Sequence, residues 1–507
     1  MLRTVNALDA NAFERPSPHA ARLATLLASG GDARIRPDGA GRNQYYASVL
    51  PSDALAYGSS TISSISHHAF DALSKRWSHR LDRPLAADDY AEALAILRFK
   101  LAEYFGLTDA ARDTAIVFAA SGTDLEYAGL AAAYDGRPIT TVLLGRDEVG
   151  SGCVHSAAGR FFAEETATGS RVVTQSAIDP QFAGTELIEV AVRDPAGRPR
   201  ASAAVAAELS LHIERAAANR RRAVVHVVHG SKSGLTLPAL GEVEQLVAAH
   251  GNAMTIVVDA CQLRITPAIV RRYLALGCVV LVTGSKFAGG PPFSGFALVP
   301  AAVRDRAQPL PEGFRRLAKR AEWPAEWPGV GTLSASGNFG LLLRLQAALV
   351  EMERFGALPA ERVVAVAARF GHHARRMVQR LELAEVAGTG TTCLATETLR
   401  TLDLSARWPQ CDFATAKAIH AQITHHSRQW LGQEIRLGQP VRTHVMPDGR
   451  AAGTLRLSLS MPMIAEMAAM PDEALDQRLE RDMSLVGSAI SAAASATQPK
   501  RQGEPLA

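Results

Sequence analysis

The sequence predicts an α/β protein: a large domain on a mostly parallel seven-stranded sheet, followed by a smaller α+β C-terminal domain. Three observations predict it. From about residue 91 short aliphatic runs alternate with longer amphipathic segments, which is the pattern of βα units. The runs are continuously apolar, as strands covered by helices on both faces must be. Several of them end on polar residues set among glycines.

Residues 1–90 read as an N-terminal arm, with a helix over about 17–29, the turn-rich PDGAGRNQYYASVLPS and the small-residue run GSSTISSIS. The large domain, 91–305, follows the helical DDYAEALAILRFKLAEYFGL, which stops at a glycine. Its strands are TAIVFAA (114–120), ITTVLLG (139–145), ELIEVAV (186–192), AVVHVVH (223–229), MTIVVDA (254–260), CVVLVTG (278–284) and GFALVP (295–300). Residues 306–355 contain the turn-rich WPAEWPGVGTLSASGN and a long connecting helix, 336–355. The small domain, 356–490, opens with the helix LPAERVVAVAARFGHHARRMVQRLEL and contains the strand RLSLS (456–460). The polar residues 491–507 are expected to be a disordered tail.

With 507 residues, 47% of them hydrophobic, the chain can bury a large core. Its net charge of +4 is small and its arginines are scattered, which gives no support to nucleic-acid or membrane-surface binding. The five cysteines, Cys153, Cys261, Cys278, Cys393 and Cys411, are far apart and form no C-x-x-C pair, so they read as reduced thiols. No secretory signal or long apolar span is seen, so a cytoplasmic protein acting on a small molecule is expected. The His-His pairs at 67–68, 372–373 and 425–426 lack carboxylates at useful spacing, so no metal is expected.

Ligands of open α/β sheets bind beyond the carboxyl ends of the strands. Ser121-Gly122-Thr123-Asp124 follows the first strand and opens a helix, either as an N-cap or as a cradle for a phosphate. Ser231 and Lys232 lie on a glycine-bounded loop after the fourth. Asp259 closes an apolar strand and needs a cationic partner or a capping role. In VVLVTGSKFAGGPP, Lys286 stands at a strand end between small residues, 27 positions after Asp259, where a surface lysine is the plain alternative. Together these are the groups that pyridoxal phosphate (PLP) requires: a lysine for the Schiff base, an aspartate for the pyridine nitrogen, and donors for the phosphate, among them Thr283 and Ser285.

The arrangement resembles the class V branch of fold-type I PLP-dependent enzymes, which holds cysteine desulfurases, kynureninases and related transaminases and lyases. The resemblance rests on Asp259-Ala260-Cys261-Gln262 and Thr283-Gly284-Ser285-Lys286, and extends loosely over 90–490. It implies Lys286 as the catalytic lysine, Asp259 and Gln262 on the cofactor ring, and Gly122, Thr123 and Asp124 at the phosphate. It also implies Ser231 near the ring oxygen and Arg456, in TLRLSLSMP, on the substrate carboxylate. The turn Gly331-Thr332-Leu333 resembles a segment that reaches the neighbouring subunit's phosphate, so a homodimer is implied.

The residue that stacks on the ring is not evident in GRDEVGSGCVHSAAG, where Glu148 and His155 are the candidates. Neither Cys393 nor Cys411 sits in a Gly/Ser-rich loop, which disfavours desulfuration. Arg436, Arg442 and His444 are candidates for a second anionic group. The chain also resembles divergent members that decarboxylate an amino acid at its side chain and form a C–C bond. A PLP-dependent lyase or C–C bond-forming enzyme acting on an amino acid is therefore expected, an aminotransferase is the rival, and a cofactor-free binding protein of the same fold is the reading of another class.

Overall fold

The computed structural model describes residues 17–58, 62–107, 114–388 and 397–497. Helix α1 (Pro18–Leu27), capped by Ser17, strand β1 (Leu55–Tyr57) and helix α2 (His67–Arg76) form the arm, and α3 (Ala87–Tyr104) leads into the large domain. All seven expected strands are present: β2 (Thr114–Ala119), β3 (Ile139–Leu144), β4 (Glu186–Val190), β5 (Arg222–His229), β7 (Met254–Asp259), β8 (Val279–Thr283) and β9 (Gly295–Pro300). A short β6 (Thr236–Leu237) folds back on β5 and makes the sheet eight-stranded, in the order β2-β9-β8-β7-β5-β3-β4. Strands β4, β3, β5, β7 and β8 run parallel, and β9 runs antiparallel between β8 and β2.

Successive residues of these strands enter opposite cores, the two-sided burial that the continuous apolar runs predict. On β8, Val280 and Val282 join the larger core, while Val279 and Leu281 join the core formed with α4 (Gly122–Ala133). The many alanines of α4 let it lie close to β8 and β9. The connecting helix α5 (Phe339–Gly356) is capped by Asn338 and buried along most of its length.

In the small domain, β10 (Ala384–Glu385), β11 (Leu399–Asp403) and β13 (Thr454–Ser458) form an antiparallel sheet. Strand β12 (Ile435–Leu437) pairs instead with β1, so the arm is woven into the small domain. The Tyr57 hydroxyl, fully buried, donates to Asp482 at 2.9 Å. Asp482 lies on the last helix, Asp472–Thr497, which passes the expected domain end at 490 because its alanines keep packing on the core. The rest of the expected tail, 498–507, lies outside the described residues, as does Cys393.

Candidate functional site

The ends of β2, β7 and β8 converge on a cavity of about 140 Å³ that is also lined by the loops after β3 and β5, by β13 and by the arm. Eight residues singled out in the sequence line it: Gly122, Thr123, Asp259, Gln262, Thr283, Ser285, Lys286 and Arg456. A larger cavity, about 620 Å³, opens beyond Gly289 and Ser460, and none of these eight residues lines it.

Asp259 is the last residue of β7 and pairs in register with Leu281 of β8. Its Oδ1 accepts from the Cys261 N–H at 2.9 Å, while Oδ2 has no protein donor among the described residues. No helix begins there, so Asp259 is not an N-cap. Lys286 lies just past β8, half-buried, and its amine makes no hydrogen bond or ion pair among the described residues. The glycines beside it serve packing as well as shape: a Cβ on Gly284 would lie 2.3 Å from the Ala348 Cβ of α5.

At the other end of the cavity, α4 points its first turn at the site. The N–H groups of Gly122 and Thr123 have no intrahelical acceptor there, and the helix dipole favours an anion. The approach is close, since a Cβ on Gly122 would stand 2.9 Å from Cys261 Sγ. Arg34 of the arm stands beside this turn. Its guanidinium holds the buried Asp32 through Nε and NH2, reaches Ser121 Oγ at 3.3 Å, and lies over the Phe162 and Phe293 rings at 4.7 and 5.1 Å.

Gln262 accepts at Oε1 from NH1 of the buried Arg264 at 3.2 Å, which leaves its amide N–H groups as the donors toward the cavity. Arg264 is itself fixed by Thr398 and by the Leu459 carbonyl. Arg456 is 4% exposed; its Nε donates to the Gln439 carbonyl at 2.8 Å and NH1 to that of Lys232 at 3.2 Å. No carboxylate pairs with it among the described residues, and burial pulls its pKa down to about 10.

Several sequence expectations are corrected. The Asp124 carboxylate does not line the cavity: it accepts from Ser121 Oγ in a capping pair, and burial raises its pKa to about 6. Ser231 Oγ donates to Glu148 at 2.7 Å, away from the cavity. Thr283 Oγ1 donates to the Cys261 carbonyl at 2.6 Å, so its proton is not free for a phosphate. Thr332, expected at a partner's phosphate and not at this one, is exposed off this cavity and donates to the Gly329 carbonyl at 2.9 Å.

Neither candidate for the ring face reaches the site. Glu148 is buried against Arg193, Ser231 and Ser233, and His155 does not line the cavity. Gly150, Ser151 and Cys153 of that loop line it instead. The candidates for a second anion also lie elsewhere: Arg436 pairs with Glu434, Arg442 faces Asp147 at 3.9 Å, and His444 faces Asp403 at 3.5 Å. Among the described residues no cluster of three metal-ligating side chains occurs, and no helix is long and apolar enough to cross a membrane.

The structure adds Arg34, Tyr45, Cys153, Cys261 and Phe293 to the lining, and gives Lys232, noted on its loop without a role, a place there. Burial pushes the Cys153 and Cys261 thiols up, so both are protonated thiols near neutral pH. Lys232 lies on the glycine-bounded loop and Cys261 inside the Asp259–Gln262 motif, whereas Arg34, 252 positions before Lys286, has no signal in the sequence.

No protein-family model matches the chain, and no curated protein sequence resembles it. Solved structures do. A NifS-like protein from Rickettsia africae is 12% identical and superposes with a TM-score of 0.54, covering 87% of this chain and 99% of that one. Sphingomonas wittichii serine palmitoyltransferase, 14% identical, covers 96% and 99% at a TM-score of 0.51. A mutant of C-DES with glycine covalently linked to its PLP cofactor, 16% identical, covers 86% and 97% at 0.52. The chain has the fold these proteins share, the fold-type I architecture that the strand pattern and motifs predict.

Proposed function

We propose that this chain, with the fold-type I architecture and a lysine and an aspartate at adjoining strand ends, is a PLP-dependent enzyme acting on an amino acid. One observation carries the reading: the unpaired amine of Lys286 shares a small cavity with the half-used carboxylate of Asp259, beneath the N-terminal turn of α4. The residues fit PLP. The Gly122 and Thr123 N–H groups, the Thr123 and Ser285 hydroxyls and the guanidinium of Arg34 would hold its phosphate, Asp259 its ring nitrogen, Gln262 its phenolic oxygen and Lys286 its aldehyde carbon. The C-DES mutant with glycine linked to its PLP cofactor, a structure of the same fold, supports PLP as the cofactor.

When bound, PLP supplies an electron-withdrawing ring that accepts the electron pair left by a bond broken at the amino-acid carbon. Asp259 would keep a proton on the ring nitrogen. The amine of Lys286 would take and return a proton at the substrate carbon. Arg456 holds the substrate carboxylate with its guanidinium fork, and Cys153 packs against the cavity without ionising.

The reaction favoured is that of a lyase or a C–C bond-forming, decarboxylating enzyme of the class V group; transamination is the rival. The buried thiols disfavour a nucleophilic cysteine, because a neutral thiol is a poor attacking group. A homodimer, with Thr332 reaching the partner's site, belongs to the same proposal, as does a cytoplasmic setting.

The test is spectral. Purified protein given PLP should show a visible band at about 410–430 nm, and borohydride reduction should fix the cofactor mass on the Lys286 peptide. Lys286→Ala should lose both while keeping its circular dichroism. A colourless wild type defeats the proposal and leaves a binding protein, whereas a label on another lysine defeats the assignment of Lys286. An amino-acid panel read for released CO₂, keto acid and aminated cofactor then separates lyase from transaminase.

A further inference from the structure

We propose that Lys232 and Arg456 form a two-anion recognition site, so that the substrate is an acidic amino acid carrying a second anionic group on its side chain. This rests on the reading of the cavity as an amino-acid site and goes one step beyond it.

Four cations line the cavity, Arg34, Lys232, Lys286 and Arg456, against one lining carboxylate, Asp259. Arg34 already has Asp32. Asp259 and Lys286 are assigned to the cofactor. Lys232 and Arg456 remain, adjacent to one another, since Arg456 NH1 donates to the Lys232 carbonyl.

Neither of the two has an anion of its own. Arg456 spends Nε and NH1 on neutral carbonyls. The Lys232 amine has a single long contact, 3.4 Å to the Asp147 carbonyl. Glu148, the nearby acid, is taken by Arg193 Nε at 3.3 Å, Ser231 Oγ at 2.7 Å, Ser233 N at 2.9 Å and Ser233 Oγ at 2.6 Å.

Two neighbouring cations held partly out of water are costly without counter-charge. Burial, then Arg456 and Lys286, pull the pKa of Lys232 down to about 8, the response of an amine lacking a partner. An α-carboxylate occupying the Arg456 fork leaves the ammonium of Lys232 free for a second acid group.

Calorimetry on the PLP-loaded protein tests this with succinate against butyrate, probes that need no reaction. Succinate should bind about 10- to 100-fold tighter, the value of one charge-assisted hydrogen bond. Lys232→Gln should erase that margin and leave butyrate within about twofold, while Lys232→Arg keeps most of it. Equal affinities in the wild type, or a Lys232→Gln loss shared by both probes, would overturn the proposal. The visible band is read on the same samples: a succinate margin without the band keeps the anion site and removes the PLP reading, whereas the band without the margin does the reverse.

Discussion

Replacing Arg344 by leucine should detach the N-terminal arm from the large domain. Arg344 lies on α5, fully buried, and donates to the Phe293 carbonyl at 2.8 Å, to Leu27 at 2.8 Å, to Gly30 at 2.9 Å and to Ser29. Three of these four carbonyls belong to the end of α1 and the turn after it, where a helix leaves its last C=O groups unmet. Burial pulls the guanidinium down to about 9, so its desolvation offsets part of what the hydrogen bonds contribute.

Leaving these carbonyls without their donor costs about 1–3 kcal/mol for each one that stays buried. Leucine returns a fraction of that through apolar packing. The remainder, about 3 kcal/mol, corresponds to a hundredfold or more in the opening equilibrium of the arm. Hydrogen exchange with mass spectrometry should show that loss of protection over residues 17–36, with the core strands little changed. Because Arg34 rides on this segment, PLP affinity should fall with it, by about tenfold. If the arm keeps its protection, or if protection falls evenly throughout the core, the latch argument is wrong.

Asp259→Asn should still label at Lys286 with PLP and borohydride but lose at least about a hundredfold in turnover, because an amide cannot keep the ring nitrogen protonated; undiminished turnover would contradict its role. Gly122→Ala should weaken PLP binding about tenfold or more, since its Cβ meets Cys261 Sγ at 2.9 Å, and adding Cys261→Ala should restore much of it if that contact is the cause. Succinate affinity, measured by calorimetry between pH 6 and 9.5, should be greatest below about 8 and fall above it, because the lowered pKa of Lys232 removes its charge as pH rises. Arg456 and Lys286 press that pKa down, while Cys153 and Glu148 pull it up. Lys232→Arg should flatten the profile.

What the sequence made legible follows from what lies close along the chain. The seven strands were readable because each is a continuous apolar run, and the strand β6 was not, because two residues on a hairpin carry no period. Lys286 and Asp259 were readable because strand ends place polar residues where a sheet opens to ligand, and Gln262 because it completes the motif that carries the family resemblance. Ser231 and Glu148 were misread for one common reason: each occupies a position facing the site along the chain, but their side chains meet each other at 2.7 Å. Thr283 likewise has the right position and a hydroxyl already spent on a backbone carbonyl. Position is local information, whereas the partner of a polar side chain is tertiary.

The same distinction explains why residues 1–90 read only as an N-terminal arm, with no site residue among them. Its helix and turns carry no catalytic motif, yet the latch at Arg344, the Asn338 amide donating to the Gly30 carbonyl at 3.1 Å and the pairing of β1 with β12 tie it to both domains. Arg34 thereby reaches the first turn of α4, adding a cation where the N–H groups of Gly122 and Thr123 already favour an anion. The Ser121 hydroxyl links the two, capping α4 and accepting from Arg34, so movement of the arm must change the geometry at the first turn of α4. An arm that closes over the cavity only when its anion is bound would leave the anion-free protein more open there. Hydrogen exchange of residues 17–36 with and without inorganic phosphate should therefore show protection gained with the ion, and should show none in Arg34→Ala.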